Sequence, residues 1–318
     1  SGATFTYTVS SSNQTQVPAA TARTVANALN ITDSYTNTTN AAVTITYTVT
    51  PIATNGCSGQ TFTVTATINP KPNITNQTTI TCSKSALNYS LTNLLPAGVM
   101  RTGSAFTYTV SSADQANVPA GSNRTTASGS DITDLYTNFT SSPVIITYTI
   151  TPTSGQGCTG SPFNLAVTVN PEPVVANQLA STVCSRNSSG VTFAASTTVA
   201  AATYNITAIN NGGLTPVGGN TAVGNGYINS KIVNDKWINT TGVVANVVFT
   251  VVPVSASGCQ GSPFTVTIPV NPEPVGSNAS VTTCSDVALN INVLGQITSL
   301  QSGATFTYTV SSSNQTQV

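Results

Sequence analysis

Histidine is absent from the 318 residues. That excludes an imidazole base, a Ser-His-Asp triad and an imidazole metal ligand. The side chains left for chemistry are six cysteines, eight acids and eight bases. The cysteines fall into two classes. Cys82, Cys184 and Cys284 each precede a serine, whereas Cys57, Cys158 and Cys259 each sit in a Gly-Cys-x-Gly turn. No CxxC spacing accompanies them, so a zinc site is not expected. Disulfides are, and they imply an oxidising, extracellular setting. The acids recur in one pattern, Asp-x-aromatic-x-Asn: Asp33, Tyr35 and Asn37; Asp134, Tyr136 and Asn138; Asp235, Trp237 and Asn239. Such a pattern could bind calcium or sugar. The plainer reading is the start of a strand, where Asp and Asn bond local backbone and the aromatic packs inward.

Catalysis finds little support. A glycosidase needs two opposed carboxylates. Asp131 and Asp134 form such a pair once, but the first repeat has Asn30 in place of Asp131. No enzyme, cofactor or metal is expected. The eight Lys and Arg are scattered, which argues against nucleic acid, since counterion release needs clustered bases. No stretch reaches the ~18–20 apolar residues that span a bilayer. Tyr227 and Trp237, aromatics peculiar to the third repeat, are the residues that could stack on a glycan.

The elements that position these residues repeat. Residues 302–318 match residues 1–17 letter for letter, at an offset of 301. Within that long period, Asn69-Pro-Lys-Pro72, Asn170-Pro-Glu-Pro173 and Asn271-Pro-Glu-Pro274 are 101 residues apart, as are Cys57, Cys158 and Cys259. The chain therefore divides into residues 1–72, a module without its N-terminal part, two modules over 73–173 and 174–274, and residues 275–318, the first part of a further one. It reads as a segment of a longer tandem array.

Threonine, the commonest residue at 58 copies, supplies the local pattern. Phe62-Thr-Val-Thr-Ala-Thr-Ile, Phe106-Thr-Tyr-Thr-Val and Phe264-Thr-Val-Thr-Ile alternate apolar and hydroxyl side chains. Alternation at period two marks strands with one dry and one wet face. For the module 73–173 the pattern predicts strands near 74–80, 86–92, 105–111, 131–138, 144–151 and 162–169. The predicted inward set is Phe106, Tyr108, Val110, Ile146, Tyr148, Ile150, Phe163, Leu165 and Val167. Six or seven strands in about 100 residues predict an all-β fold, an immunoglobulin-like sandwich.

This layout suggests a disulfide pairing. Cys57 lies at the top of a final hairpin, and the last strand then runs ~30 Å away before the next module begins. Bridged Cα atoms lie within ~7 Å. The expected pairs are therefore Cys82–Cys158 and Cys184–Cys259, with Cys57 and Cys284 pairing beyond residues 1–318. Closing a loop of about 76 residues should stabilise a module by a few kcal/mol.

Several motifs together resemble a known family: Tyr148-Thr-Ile-Thr-Pro, Gly157-Cys-Thr-Gly, Pro162-Phe, Val167-Thr-Val-Asn-Pro-Glu-Pro and Thr182-Val-Cys-Ser. They are similar to the PKD-like, immunoglobulin-like tandem repeats of giant Bacteroidota surface proteins, and the long near-identical arrays look like those of SprB-type gliding adhesins. The resemblance implies export by type IX secretion and a cell-surface filament that serves attachment and gliding motility. Its partners would be neighbouring modules of the same chain, an external surface or polysaccharide, and the gliding machinery through other regions.

Paired prolines at each junction restrict φ and favour semi-rigid spacers. An extended rod advancing about 35–45 Å per module is the expected form. Two alternatives remain: modules that grip polysaccharide, and separate subunits joined into an extracellular fibre by strand exchange, with residues 302–318 standing in for residues 1–17.

Overall fold

A computed structural model of the chain describes residues 2–27, 30–98, 100–129, 131–299 and 305–312. The chain divides into two compact units, Ser1–Pro171 and Glu172–Val318. Strands dominate both.

The first unit holds two sheets. Its first repeat contributes β1 (Thr4–Ser11), β2 (Arg23–Asn27), β3 (Val43–Ile52) and β4 (Phe62–Ile68) in the order β2-β1-β3-β4. Its second repeat contributes β5 (Gln77–Cys82), β6 (Ala105–Ser112), β7 (Arg124–Ser128), β8 (Val144–Thr153) and β9 (Phe163–Asn170) in the order β5-β9-β8-β6-β7. Threonine alternation places one face of each long strand inside. In β8, Ile146, Tyr148 and Ile150 are fully buried while Ile145 stays exposed. Of the nine residues predicted to point inward, eight are buried and Val110 is half-buried.

The opposite layer is thin. Residues 84–89 run antiparallel to residues 132–136, through Lys84 N–H to Tyr136 O (2.7 Å), Leu87 N–H to Asp134 O (3.0 Å) and Tyr89 N–H to Ile132 O (2.9 Å). Only isolated bridges result, so the strands expected at 86–92 and 131–138 are fragments of a second sheet. A 3-10 turn at Thr92–Leu94 then places Leu91 and Leu95 in the core. The edge strand β7 escaped the sequence reading because Arg-Thr-Thr-Ala-Ser has no apolar alternation.

The second unit repeats this plan with β10 (Gln178–Leu179), β11 (Val183–Cys184), β12 (Ala201–Asn210), β13 (Thr215–Pro216), β14 (Gly224–Tyr227), β15 (Trp237–Ile238), β16 (Ala245–Ser255) and β17 (Phe264–Asn271). Its main sheet runs β10-β17-β16-β12-β14, with β11 also on β17, and β13 pairs with β15 in the thin layer. Each of the three repeats has its own buried cluster. The first is the smallest: Tyr7, Val17, Val43, Ile45, Tyr47 and Val49.

The orientation of β5 overturns the expected disulfides. β5 lies parallel to β9 in register from Gln77↔Leu165 to Cys82↔Asn170, so Cys82 stands where β9 ends. Cys158 lies in the hairpin turn before β9 begins, held by Ser154 N–H to Cys158 O (2.9 Å). The length of β9, ~25 Å at strand rise, separates them. The third repeat is built alike, with Cys184 opposite Asn271 at the end of β17 and Cys259 in the turn before it. The pairs Cys82–Cys158 and Cys184–Cys259 are therefore not formed. Cys57, Cys158, Cys184 and Cys284 are free thiols, and Cys82 and Cys259 are disulfide-bonded.

Candidate functional site

The Asp-x-aromatic-x-Asn pattern forms the same internal fastening three times. Asn138 ends the thin layer and is fully buried. Its Nδ2 donates to Ser142 O (3.0 Å) and to Val169 O (2.8 Å) on β9. Its Oδ1 accepts from the Thr140 N–H (3.0 Å) and the Thr140 hydroxyl (2.7 Å). Asn37 bonds Ala41 O and Ile68 O in the same way, and Asn239 bonds Val243 O and Val270 O. A buried amide with its hydrogen-bonding capacity filled ties the loop to the last strand. Each asparagine also heads an Asn-x-Thr triplet, but burial closes these positions to glycosylation.

The aspartates differ in burial: Asp33 is exposed, Asp134 half-buried and Asp235 buried. Tyr148 donates its hydroxyl to Asp134 Oδ2 (2.6 Å), and Tyr136 lies 3.3 Å from the same oxygen and 2.5 Å from the Tyr148 hydroxyl. Burial, together with the Asp134 carboxylate, pushes Tyr148 well above the ordinary phenol value. Burial likewise raises Tyr136 to about 12. Gly121 closes the site: a Cβ there would stand 2.5 Å from Asp134 Oδ2. In the first repeat Tyr47 donates to Asp33 Oδ2 (2.8 Å) and meets Tyr35 at 2.8 Å. In the third repeat Trp237 and Phe249 replace the two tyrosines. Asp235 there accepts from the Thr221 N–H and hydroxyl, both at 3.0 Å. Its other oxygen, Oδ2, is buried without a hydrogen bond, and burial raises its pKa.

Asp33 and Asp134 accept from phenols and Asp235 Oδ1 from Thr221, contacts that tie each repeat together. Among the described residues no group of three His, Cys, Asp or Glu could hold a metal ion. Trp237 cannot stack on a glycan, because it is buried against Phe249 with its Nε1–H on Asn211 Oδ1 (3.1 Å). Tyr227 is partly exposed, with Lys231 Nζ 5.1 Å from its ring centroid.

A second repeated feature lies at the sheet edge, where β7 pairs with β6 and β2 with β1. Arg124 stacks on Tyr108 (4.6 Å) beside Thr107, Thr109, Thr149 and Thr151, lining an open cleft of about 410 Å³. Arg23 stacks on Tyr7 (4.9 Å) in a matching cleft of about 400 Å³. The sequence reading missed this pair, although Arg23 and Arg124 share the 101-residue period. In the third repeat the strand register puts Ile206 and Gly224 at the corresponding positions.

Comparison with known proteins places this geometry. The pattern of the PKD-like domain family matches residues 1–72, 79–173 and 181–274. A comparison with curated proteins finds no match. Among solved structures, Drosophila N-cadherin EC1-4 is similar at 10% identity, over 85% of this chain and 67% of that one, with a TM-score of 0.22. The chicken CNTN1 FN1-FN3 domains are similar at 9% identity, over 84% and 88%, with a TM-score of 0.29.

Proposed function

Because the chain belongs to the PKD-like domain family, we propose that it is a structural stalk segment of a giant repetitive cell-surface adhesin. In this reading it is extracellular and non-catalytic, and it holds an adhesive or motile end away from the cell. The observation that carries the reading is the threefold recurrence of one buried cluster fastened by one buried asparagine. Each repeat resists opening by its own contacts, which suits a load-bearing series. The motif resemblance to gliding adhesins read from the sequence is the ground for extending the proposal to surface attachment and gliding, with export through type IX secretion and contact with polysaccharide or another external surface. No helix among the described residues is long and apolar enough to cross a membrane.

Electron micrographs of the native protein, with immunogold labelling of intact cells, test the reading. Beaded surface threads are expected, and compact globules confined within the cell would overturn it. The Arg-Tyr-Thr clefts of the first two repeats favour a second reading, polysaccharide binding by the modules themselves. A glycan array probed with the chain decides it: binding lost on Arg124→Ala supports it, and silence removes it.

A further inference from the structure

We propose that the cleft at Arg124 in the second repeat, and its twin at Arg23 in the first, each bind an anionic group of an acidic polysaccharide. That group is a uronate carboxylate or a sugar sulfate. The inference rests on the polysaccharide reading and deepens it, by naming the class of glycan and the side chains that select it.

The lining recurs more strictly than the sheet around it. All seven residues that line the second cleft appear unchanged 101 residues earlier, from Thr107 and Thr6 to Thr151 and Thr50. None of their threonines is buried, so the core does not demand them. Outward threonines elsewhere on the first sheet are not repeated. Thr44, Thr63 and Thr65 become Ile145, Asn164 and Ala166 in the second repeat. Asn164 lies directly opposite Thr149 of the cleft, so the strict recurrence stops one strand away. A need for strand-forming side chains or cross-strand pairs alone would hold those positions as firmly.

The centre of each cleft is a guanidinium held in place. Arg124 lies over the Tyr108 ring at 4.6 Å, and its Nη2 donates to Asp131 O (3.0 Å). Arg23 lies over the Tyr7 ring at 4.9 Å, and its Nη2 donates to Asn30 O (3.4 Å). The anchor is a backbone carbonyl in both repeats, so it survives the change from Asn30 to Asp131. Both arginines are half-buried and line their clefts. A guanidinium whose plane is fixed beforehand loses little freedom when it meets a ligand.

Charge and hydroxyls define the ligand. Among the described residues that line each cleft, the arginine is the charged one. Its forked donors match the paired oxygens of a carboxylate or sulfate. The threonine hydroxyls around it both donate and accept, as the hydroxyls of a sugar ring do. The clefts, of about 400 and 410 Å³, are open, so a polymer can run on beyond the sugar that is held.

The rest of the chain sharpens the assignment. Its net charge is zero, so a polyanion gains little from the overall field and must find its attraction locally. The third repeat, with Ile206 and Gly224 in place of the tyrosine and arginine, has neither the stack nor the fork. A polymer that repeats its anionic group offers ligands to both clefts of the first unit. Removing both arginines should therefore cost more than removing one.

The test uses the whole 318-residue chain and isothermal titration calorimetry with three probes: polygalacturonate, dextran sulfate and neutral dextran. Binding of an acidic polymer without binding of dextran is expected. A response to polygalacturonate assigns the carboxylate, and one to dextran sulfate assigns the sulfate. Affinity should fall as sodium chloride is raised, because it rests on a charge. Arg23→Ala with Arg124→Ala should weaken binding roughly tenfold or more. Thr48→Val with Thr149→Val keeps both arginines and the strand shape. It should weaken binding several-fold at an unchanged melting temperature, which a purely structural role of the cleft would not produce. Equal binding of dextran, or affinity indifferent to salt, would overturn the anionic ligand while leaving polysaccharide binding in place. Undiminished binding by both double variants would overturn the clefts as its site. Silence towards both acidic polymers would overturn the inference, and the glycan array decides the broader reading separately.

Discussion

Asn138→Ala removes the amide that fastens the second repeat. The variant strands the buried Val169 carbonyl, 2.8 Å from Nδ2, and the Thr140 N–H, 3.0 Å from Oδ1, while Ser142 O and the Thr140 hydroxyl lie nearer to water. A buried polar group left without a partner costs about 1–3 kcal/mol, so the two together give ~3 kcal/mol. For a module of about 100 residues each kcal/mol moves Tm by ~4–8 °C, so the repeat should melt roughly 12–24 °C lower. Differential scanning calorimetry of the chain reads this directly. Asn138→Asp sharpens the test, because it keeps the shape and the Oδ1 acceptor but turns an oxygen on two carbonyls. That variant should be at least as unstable at neutral pH and recover in acid, where the protonated carboxyl can donate again. A shift below about 3 °C for Asn138→Ala would refute the reasoning, since it would mean the stranded groups find other partners at no cost.

Two further outcomes follow from titration. Tyr136 is raised to about 12, and Tyr148 and Tyr47 are raised further in the same direction. Unfolded phenols ionise near 10, so stability is full below about pH 10 and drains as pH climbs through the folded values. Ultraviolet titration should show these phenols ionising only as the fold melts; all ten tyrosines titrating near pH 10 in a folded chain would contradict this. Asp235 is raised by burial, so its contribution to stability is greatest below about pH 3.9 and falls as pH rises through its folded value. Asp235→Asn should remove that fall, and urea melts across pH 3–7 with an unchanged slope would tell against it.

The alternation of threonine with apolar residues made the long strands legible, because solvent on one face and core on the other write a period of two into the sequence. It could not reveal direction. Nothing in Gln77–Cys82 states that the strand runs parallel to β9, and that choice alone puts Cys82 and Cys158 at opposite ends of the module. The second layer was legible in place but not in kind. Residues 131–138 are held by single backbone bonds and by Asn138, so they form no continuous ladder. The asparagine fastening was marked by its 101-residue period, yet its role was hidden, since Asn before a strand equally suits an exposed turn. The Arg124–Tyr108 stack needed β7 to be recognised, and β7 has no apolar signal.

Single-molecule pulling of the reduced chain tests the central claim, that each complete repeat carries load on its own core. Unfolding about 100 residues at ~3.3–3.6 Å each, less the folded length, should release roughly 300 Å per event. The second and third repeats should yield one such step apiece. A single release of the whole chain, or smooth lengthening without steps, would contradict the account.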